Sequence, residues 1–296
     1  MSPSTSCQPG APGWFARMVA LPTTHGQVDV GGAQVHYRCW NPDDVEKPLL
    51  LFVHGFLAHS HWWDFVAPFL IGKFCVVAMD FSGMGESSHR DAYTAELWSD
   101  EIVAIVRHLD RGPASLVAHS FGGARALEAC SVYPALFNQL IVLDAYIHFD
   151  DHPPLKSGYG PARQPRFFAD IQSAMARYRL VPEQPVLDYI LSYLAQHSLT
   201  RSHRGWTWKF DQCKLGSLER APDSTLMLTS LGVPTTLVHG QYSRLASPRH
   251  MQRVNALLRV GRGVVEIPEA HHHVMLDQPL AIVACLRTLL SSTSIS

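Results

Sequence analysis

Short apolar runs recur along the chain, and segments with a helical spacing of apolar residues lie between them. Such runs, bounded by polar or turn-forming residues, predict strands. They cover residues 49–54, 74–79, 115–118, 140–143, 234–239 and 264–267. The first run is of the kind expected for a strand that is buried on both faces of a sheet.

Helices are predicted where apolar residues recur three and four positions apart. The first predicted helix follows Ser60, a candidate N-cap, and a second ends before Gly112-Pro113. Their apolar stripes are Trp62, Phe65, Val66 and Phe69, and then Trp98, Ile102, Ile105, Val106 and Leu109. Further helices are predicted at 122–132 and 248–258, and a last one carries Ile282, Cys285, Leu286, Leu289 and Leu290.

This alternation of strands and helices predicts an α/β fold, built on a doubly wound and mostly parallel sheet of about eight strands. Residues 27–40 alternate in polarity around Gly31-Gly32, which predicts a β-hairpin ahead of the alternating units. We assign the core of the fold to residues 23–145 and 226–296.

Residues 146–225 interrupt the alternation and predict a helical cap inserted between two strands. Two apolar stripes at helical spacing support this interpretation, and no run typical of a buried strand lies among them. The stripes are Phe168, Ile171, Met175 and Tyr178, and Leu187, Ile190, Leu191 and Leu194. Residues 1–22 are rich in Ser, Pro, Gly and Ala, so we expect a flexible N-terminal arm there.

The composition excludes several classes of protein. The 296 residues include 24 Lys and Arg against 25 Asp and Glu, so the chain lacks the basic surplus of a nucleic-acid-binding protein. A hydrophobic fraction of 47% is far above that of a disordered chain. No stretch approaches the roughly 18 apolar residues of a membrane span, and the first 20 residues do not resemble a secretory signal. The six cysteines are scattered, which favours a reducing, cytoplasmic compartment.

The sharpest local motif is Leu-Val-Ala-His-Ser-Phe-Gly-Gly at residues 116–123. A predicted strand runs into Ser120, and a predicted helix with small residues in its first turn follows at once. This is the pattern of a nucleophile elbow, a tight strand-to-helix turn that exposes the serine hydroxyl. The common pattern has Gly two residues before the serine, where this chain has Ala118. The alternative is a strand that ends in Ser-Phe-Gly-Gly by chance.

From Gln27 to Leu290 the chain resembles the α/β-hydrolase superfamily. Beside the elbow, the resemblance rests on three motifs that occur in the family's order and at its spacing. They are His54-Gly55-Phe56, the stretch Asp80-Phe-Ser-Gly-Met-Gly-Glu-Ser-Ser88, and Ala270-His-His-His-Val-Met-Leu-Asp-Gln-Pro279. The resemblance implies an α/β-hydrolase fold with a cap.

The resemblance also implies the roles of particular residues. Ser120 would be the nucleophile, and the backbone N–H groups of Phe56 and Phe121 would hold the oxyanion. Alignment with the family's Gly-His-x-x-x-x-Glu/Asp-x-Pro ending places His272 in the position of the catalytic base and His271 in that of the usual Gly. Adjacent side chains point in different directions, so three consecutive histidines do not predict a metal site. No metal or cofactor is expected.

The catalytic acid departs from the commonest pattern. Many relatives carry it as Gly-x-x-Asp after the seventh strand, where this chain has Gly240-Gln-Tyr-Ser243, and no Asp or Glu occurs from Pro234 to Asn255. Asp144 ends the sixth predicted strand, a position from which some relatives supply their acid. The alternatives are that Asp144 caps the start of the insertion or that the site is a Ser–His dyad. Asp80 is expected to order its turn, and Asp277 to cap the last helix.

The insertion contributes candidates for a substrate pocket. Trp206, Trp208 and Phe210 alternate in an extended stretch. They are either a buried structural strip or an apolar lid over the acyl group, and we assign them to the pocket together with His119.

Three functions are compatible with these residues. The leading hypothesis is a serine hydrolase that cleaves an ester, thioester or related acyl bond of a small molecule through an acyl-enzyme on Ser120. The second is carbon–carbon bond hydrolysis or cofactor-free oxygenation at the same Ser–His pair. The third is a catalytically silent binding protein on the same scaffold. The oligomeric state is left open.

Overall fold

A computed structural model describes residues 10–151, 164–215 and 222–291. Its main sheet has eight strands in the order β1-β2-β4-β3-β5-β6-β9-β10, and a separate hairpin is formed by β7 and β8. The strands are β1 (Thr24–Val30), β2 (Ala33–Cys39), β3 (Leu49–Val53), β4 (Cys75–Met79), β5 (Ala114–His119), β6 (Phe137–Leu143), β7 (Leu199–Ser202), β8 (Gly205–Trp208), β9 (Thr235–Gly240) and β10 (Gly261–Ile267).

Nine α-helices accompany these strands within the described residues. They are α1 (Gly13–Val19), α2 (Ala95–Leu109), α3 (Phe121–Val132), α4 (Ile171–Met175), α5 (Asp188–His197), α6 (Thr225–Ser230), α7 (Pro248–Leu257), α8 (Val274–Asp277) and α9 (Pro279–Ser291). The predicted doubly wound, mostly parallel sheet is confirmed. Within the main sheet, the neighbouring strands of the series β4-β3-β5-β6-β9-β10 pair parallel, whereas β2 pairs antiparallel with both β1 and β4.

The sheet is covered on both faces because successive side chains of a strand point to opposite sides. In β3, Leu49, Leu51 and Val53 belong to one buried apolar cluster, which includes residues of α2 and α3. Leu50 and Phe52 belong to a second cluster, which includes residues of α9 and of the segment after β3. Each residue of β3, β4 and β5 is therefore buried, and for β3 this confirms the prediction from its uninterrupted apolar run.

The hairpin predicted at residues 27–40 is confirmed as β1 and β2. The register pairs Val30 with Ala33 across Gly31-Gly32. Both glycines have positive φ angles, 56° and 82°, which glycine adopts at little cost and which a two-residue hairpin turn requires.

The helix predicted behind Ser60 is wrong in detail. The segment forms two short 3₁₀ turns, Ser60–Trp63 and Ala67–Leu70, and Ser60 does not cap a helix. Its backbone N–H and its hydroxyl both donate to the Asp80 carboxylate. Pro68 lies inside the second turn, where it removes a backbone donor that a continuous helix would need.

The insertion is less helical than predicted. Of the first stripe only Ile171–Met175 is helical, and Phe168 instead forms a β-bridge with Trp206. Residues 199–208 form the antiparallel hairpin of β7 and β8. Residues 152–163 and 216–221 of the predicted cap lie outside the described residues, and its boundaries at 146 and 225 stay a prediction.

The N-terminal segment also differs from the expected flexible arm. Residues 1–9 lie outside the described residues, but Gly13–Val19 form helix α1. The Phe15 ring is 1% exposed and contacts the rings of Phe65, Tyr189 and Tyr193. Helix α1 thus touches both the core, at Phe65, and the insertion, at helix α5.

Two features bear on the expected compartment. In the described part of the chain, no helix combines the length and the apolar character needed to cross a bilayer. Cys75 and Cys130 are buried free thiols, and the Sγ atoms of Cys39 and Cys75 lie 3.7 Å apart. The compartment itself stays a prediction.

Candidate active site

Ser120 lies at a strained turn between β5 and α3. Its φ and ψ angles are 52° and −119°, a conformation that is costly for a residue with a Cβ and that is found mainly at functional sites. The turn is tight because helix α3 packs directly on the end of β3. A Cβ at Gly122 would lie 2.3 Å from the backbone oxygen of His54, so only glycine fits there.

Three predicted site residues meet at the carboxyl edge of the sheet. The Nε2 atom of His272 lies 2.9 Å from the Ser120 Oγ atom, and its Nδ1 atom lies 2.7 Å from Oδ1 of Asp144. His272 is 3% exposed and Asp144 is fully buried. Asp144 therefore lies within hydrogen-bond distance of His272. Because each ring nitrogen of His272 has one partner, a proton could pass from Ser120 to His272 while Asp144 holds the other side of the ring.

The Asp144 carboxylate is held by two further donors. The backbone N–H of Gly240 donates to Oδ2 at 2.8 Å, and the Ser243 hydroxyl donates to Oδ1 at 2.6 Å. An ionised carboxylate accepts hydrogen bonds only, so these donors and His272 Nδ1–H match it chemically. Ser243 therefore contacts the acid from the position at which, by the resemblance, many relatives carry their own acid.

The three consecutive histidines have different surroundings. His271 is partly exposed, and its ring lies beside Tyr242 and its Nδ1 atom 3.2 Å from Asp277. The ring of His273 is buried against Trp62, with centroids 5.2 Å apart. Of the three, only His272 reaches Ser120, as the alignment predicted.

His119 does not have the pocket position expected of it. Its side chain is 1% exposed, and its Nε2 atom hydrogen-bonds to the backbone oxygen of His272 at 3.1 Å. Burial and the neighbouring His272 lower the pKa of His119 well below its usual value, so the ring is neutral at pH 7. A carbonyl accepts only from a donor, so Nε2 carries the proton. His119 therefore supports residues 271–277, the histidine loop, through the backbone of His272.

Candidate metal ligands in the described residues form one group, His119, His272 and His273, whose ligand atoms lie within 4.8 Å of one another. Both nitrogens of His272 are engaged by Ser120 and Asp144, and Nε2 of His119 is engaged by the His272 carbonyl. A metal ion bound by all three would break at least one contact of the Ser120–His272–Asp144 arrangement. The expectation of no metal or other cofactor stays a prediction.

The two residues assigned to the oxyanion hole lie together. The rings of Phe56 and Phe121 have centroids 5.3 Å apart. Phe121 is the first residue of α3, so its N–H has no acceptor within the helix and lies at the positive end of the helix dipole. The loop after Phe56 is fixed by Leu57, which has a φ of 58° and whose N–H contacts the Met84 sulfur at 3.2 Å.

Asp80 orders the turn that follows β4, as expected. Its carboxylate accepts hydrogen bonds from the backbone of Ser60 and Glu86 and from the ring of His36, at 2.7 Å. Burial by itself would raise the pKa of Asp80, but the hydrogen bond and charge of His36 outweigh burial and hold it well below its usual range. Asp277, expected to cap the last helix, instead accepts from the backbone N–H and ring of His271.

The aromatic strip of the insertion is half-buried. The rings of Trp208 and Phe210 stack with centroids 6.4 Å apart, and Trp206 lies next to Phe168 in the β-bridge. Phe210 packs against the same apolar cluster as Phe56 and Phe121. The strip therefore has structural contacts throughout, and Phe210 is the member that packs on the cluster beside the predicted oxyanion hole.

Gln184 is a site residue that the sequence did not indicate. Its side chain contacts the histidine loop at two points, but a lone glutamine in a Pro-rich stretch of the insertion carries no motif.

Comparison with known proteins places the chain in a family. Residues 50–284 match the model of the alpha/beta hydrolase family. A 2-(acetamidomethylene)succinate hydrolase of Mesorhizobium japonicum is 26% identical over 257 residues, which cover 84% of this chain and 88% of the relative. An esterase of Mycobacterium tuberculosis is 26% identical over 260 residues, covering 83% of each. The thioesterase domain of the curacin biosynthetic pathway superposes with a TM-score of 0.75 at 26% identity, covering 90% of this chain and 99% of the domain. The chain belongs to the alpha/beta hydrolase family, and it is a hydrolase.

Proposed function

We propose that this protein is a serine hydrolase that cleaves an ester, thioester or related acyl bond of a small molecule through an acyl-enzyme on Ser120. The observation that carries the proposal is the continuous hydrogen-bonded arrangement of Ser120, His272 and Asp144. The relatives named esterase and thioesterase support the same class of reaction.

The reaction follows from these positions. His272 Nε2 takes the proton of Ser120 as Oγ attacks the acyl carbon, and the developing oxyanion binds the backbone N–H groups of Phe56 and Phe121. His272 then gives the proton to the leaving group, which departs and leaves the acyl group on Ser120. Water, activated by the same imidazole, releases the acid. Asp144 stays ionised and stabilises the imidazolium.

The first test is labelling with a fluorophosphonate probe, which reacts with an activated serine. We expect the wild-type protein to be labelled and to hydrolyse p-nitrophenyl esters, with a preference among chain lengths that defines the acyl group. Ser120→Ala should remove labelling and turnover while the melting temperature stays near that of wild type. Undiminished turnover in Ser120→Ala would refute the proposal, and an unlabelled wild-type protein would favour a silent binding protein.

A second candidate is hydrolysis of a bond other than a carboxylic ester at the same Ser120–His272 pair, including carbon–carbon cleavage. The relative named 2-(acetamidomethylene)succinate hydrolase, which matches most of this chain, favours this candidate. A substrate panel that contains that compound and a series of diketones beside the esters distinguishes the two. A kcat/KM for that compound or for a diketone that exceeds the value for every ester would favour the second candidate.

A further inference from the structure

The backbone on either side of His272 is held by three side chains. Oδ2 of Asp277 accepts the N–H of His271, and Oε1 of Gln184 accepts the N–H of His273 at 2.8 Å. The oxygen of His272 itself accepts from Nε2 of His119 at 3.1 Å. The orientation of the His272 ring is therefore set from its own loop, from strand β5 and from the insertion.

Gln184 is the member of this set that lies in the insertion, a few residues before α5. Its amide makes two contacts at once, because Nε2 donates to Oδ1 of Asp277 at 2.8 Å while Oε1 accepts the His273 N–H. One planar side chain thus joins His273 to Asp277. The Asp277 carboxylate links Gln184 to His271, so the N–H groups before and after His272 are held by one connected network.

Small displacements of His272 are costly in the proposed reaction. The ring must keep Nε2 near the Ser120 Oγ atom and Nδ1 near Asp144 at the same time, at the observed 2.9 and 2.7 Å. A misplacement of about 1 Å in a catalytic arrangement can cost about 10²-fold in rate. A side chain that fixes the peptide next to His272 therefore affects the rate without touching the substrate.

We propose that Gln184 is a positioning residue, through which docking of the insertion sets the orientation of His272. This inference rests on the proposed hydrolase function. The insertion is attached to the core at other points that do not touch the histidine loop. Lys214 pairs with Asp91 at 2.6 Å, and Lys209 pairs with Glu86. A variant at one of these ion pairs therefore distinguishes the effect of Gln184 from the effect of weakening the attachment of the insertion in general.

The test compares Gln184→Ala with two controls, Lys214→Ala and Gln172→Ala. The Lys214 variant removes an attachment of the insertion, and the Gln172 variant removes an exposed glutamine of α4. We expect Gln184→Ala to lower the rate constant of fluorophosphonate labelling and the kcat for a p-nitrophenyl ester by about tenfold or more, with KM within about twofold. Both controls should stay within about twofold of wild type in each measurement.

Gln184→Glu gives a signature that a purely structural role would not. Glutamate keeps an acceptor for the His273 N–H, but it loses the donor to Asp277 and sets two carboxylates against each other. Protonation of this pair restores a donor. We therefore expect the ratio of the Gln184→Glu rate to the wild-type rate to rise as the pH falls from 8 to 6. This ratio also tests the inference if Gln184→Ala does not fold.

Several outcomes would overturn the inference. Wild-type labelling in a folded Gln184→Ala protein, an equal loss in Lys214→Ala, or a Gln184→Glu ratio that is independent of pH would each do so while leaving the hydrolase function intact. If wild-type protein were not labelled, or if Ser120→Ala were labelled as fast as wild type, the proposed function would fail and this inference with it.

Discussion

At the scale of single residues, the acid of this site is shared between two neighbouring strands. Asp144 follows β6 and supplies the carboxylate, while Ser243 follows β9 and supplies a hydroxyl to it. Relatives with an acid after the later strand have the charge where this chain has the hydroxyl. The two positions face each other across one hydrogen bond, so either one lies close to His272 Nδ1.

This arrangement predicts that a carboxylate at position 243 can partly replace the one at position 144. Asp144→Asn keeps the size of the side chain but removes its charge, so kcat should fall by about 10³–10⁴-fold with little change in melting temperature. Adding Ser243→Asp to that variant should recover part of the loss, because the new carboxylate starts from a position whose Oγ atom lies 2.6 Å from Oδ1 of Asp144. The measurement is kcat for a p-nitrophenyl ester.

The matched control is Asp100→Asn, which removes an exposed carboxylate of α2 and should leave kcat unchanged. A double variant no faster than Asp144→Asn would show that position 243 cannot serve His272. Undiminished activity in Asp144→Asn itself would instead favour a Ser–His dyad.

The sequence predicts Ser120, His272 and Asp144 because each lies in a local pattern, namely a strand end or a spaced motif, and parallel strands bring their carboxyl ends to one edge. It does not predict Gln184, since the contact depends on how the insertion folds back over the sheet. The position of His119 was also wrong. Ser120 faces the site, whereas the side chain of His119, one residue earlier, is buried against the backbone of His272.

At the scale of elements, the packing of α3 against β3 leaves no space at the elbow. A Cβ at Gly122 would meet the His54 oxygen at 2.3 Å and the Val53 side chain at 2.9 Å. Gly122→Ala should therefore lower the free energy of unfolding by about 1–3 kcal/mol, because the backbone must shift to admit the methyl group. Urea unfolding of the variant measures this change.

Gly72→Ala is the matched control, because a Cβ at Gly72 meets no atom within 4 Å. Its unfolding free energy should stay within about 0.5 kcal/mol of wild type. Equal stability of the two variants would show that the elbow relaxes more freely than its contacts indicate.

The strands of the sheet could be predicted because their buried runs are continuous and local. The segment after β3 could not, since Trp62, Phe65 and Val66 have the same spacing in 3₁₀ turns as in an α-helix over so few residues. Helix α1 was missed for another reason. Its one buried side chain, Phe15, is enclosed by partners that lie far along the chain, and its Pro- and Gly-rich surroundings are typical of a loose arm.

At the scale of the whole molecule, one buried and two partly buried histidines line the contact between the core and the insertion. Nε2 of His59 lies 2.9 Å from Ser198 Oγ, and the rings of His61 and His197 lie 4.1 Å apart. Burial lowers the pKa of each of the three, and it is the largest cause of the fall at His197, where the nearby His61 adds to it and the pKa is about 3. Asp64 opposes these shifts at His61 and His197, but does not reverse them.

These lowered pKa values predict a loss of stability on mild acidification. Below pH 6.5 the unfolded chain takes up protons at these histidines more readily than the folded chain does, because their pKa values are lower in the folded protein. The free energy of unfolding should therefore be independent of these groups above about pH 7 and fall by up to about 1.4 kcal/mol per pH unit for each histidine between pH 6 and pH 5. Urea unfolding at successive pH values measures the slope.

His197→Gln should reduce that slope by the share of one histidine, while His203→Gln, at an exposed position of the hairpin turn, should leave it unchanged. An unchanged slope in His197→Gln would mean that this ring is protonated in the folded protein.

The position of helix α1 has a consequence for the order in which the molecule is completed during synthesis. The helix leaves the ribosome before the strands of the sheet, yet two of the rings that enclose Phe15, those of Tyr189 and Tyr193, belong to a helix made much later. Seven residues are too few for a helix that is stable on its own. The segment therefore stays without a fixed structure while the first six strands of the chain emerge, and it settles only when the insertion has folded over the sheet. Folding of the insertion against the core and docking of helix α1 are, in this sense, the same late event.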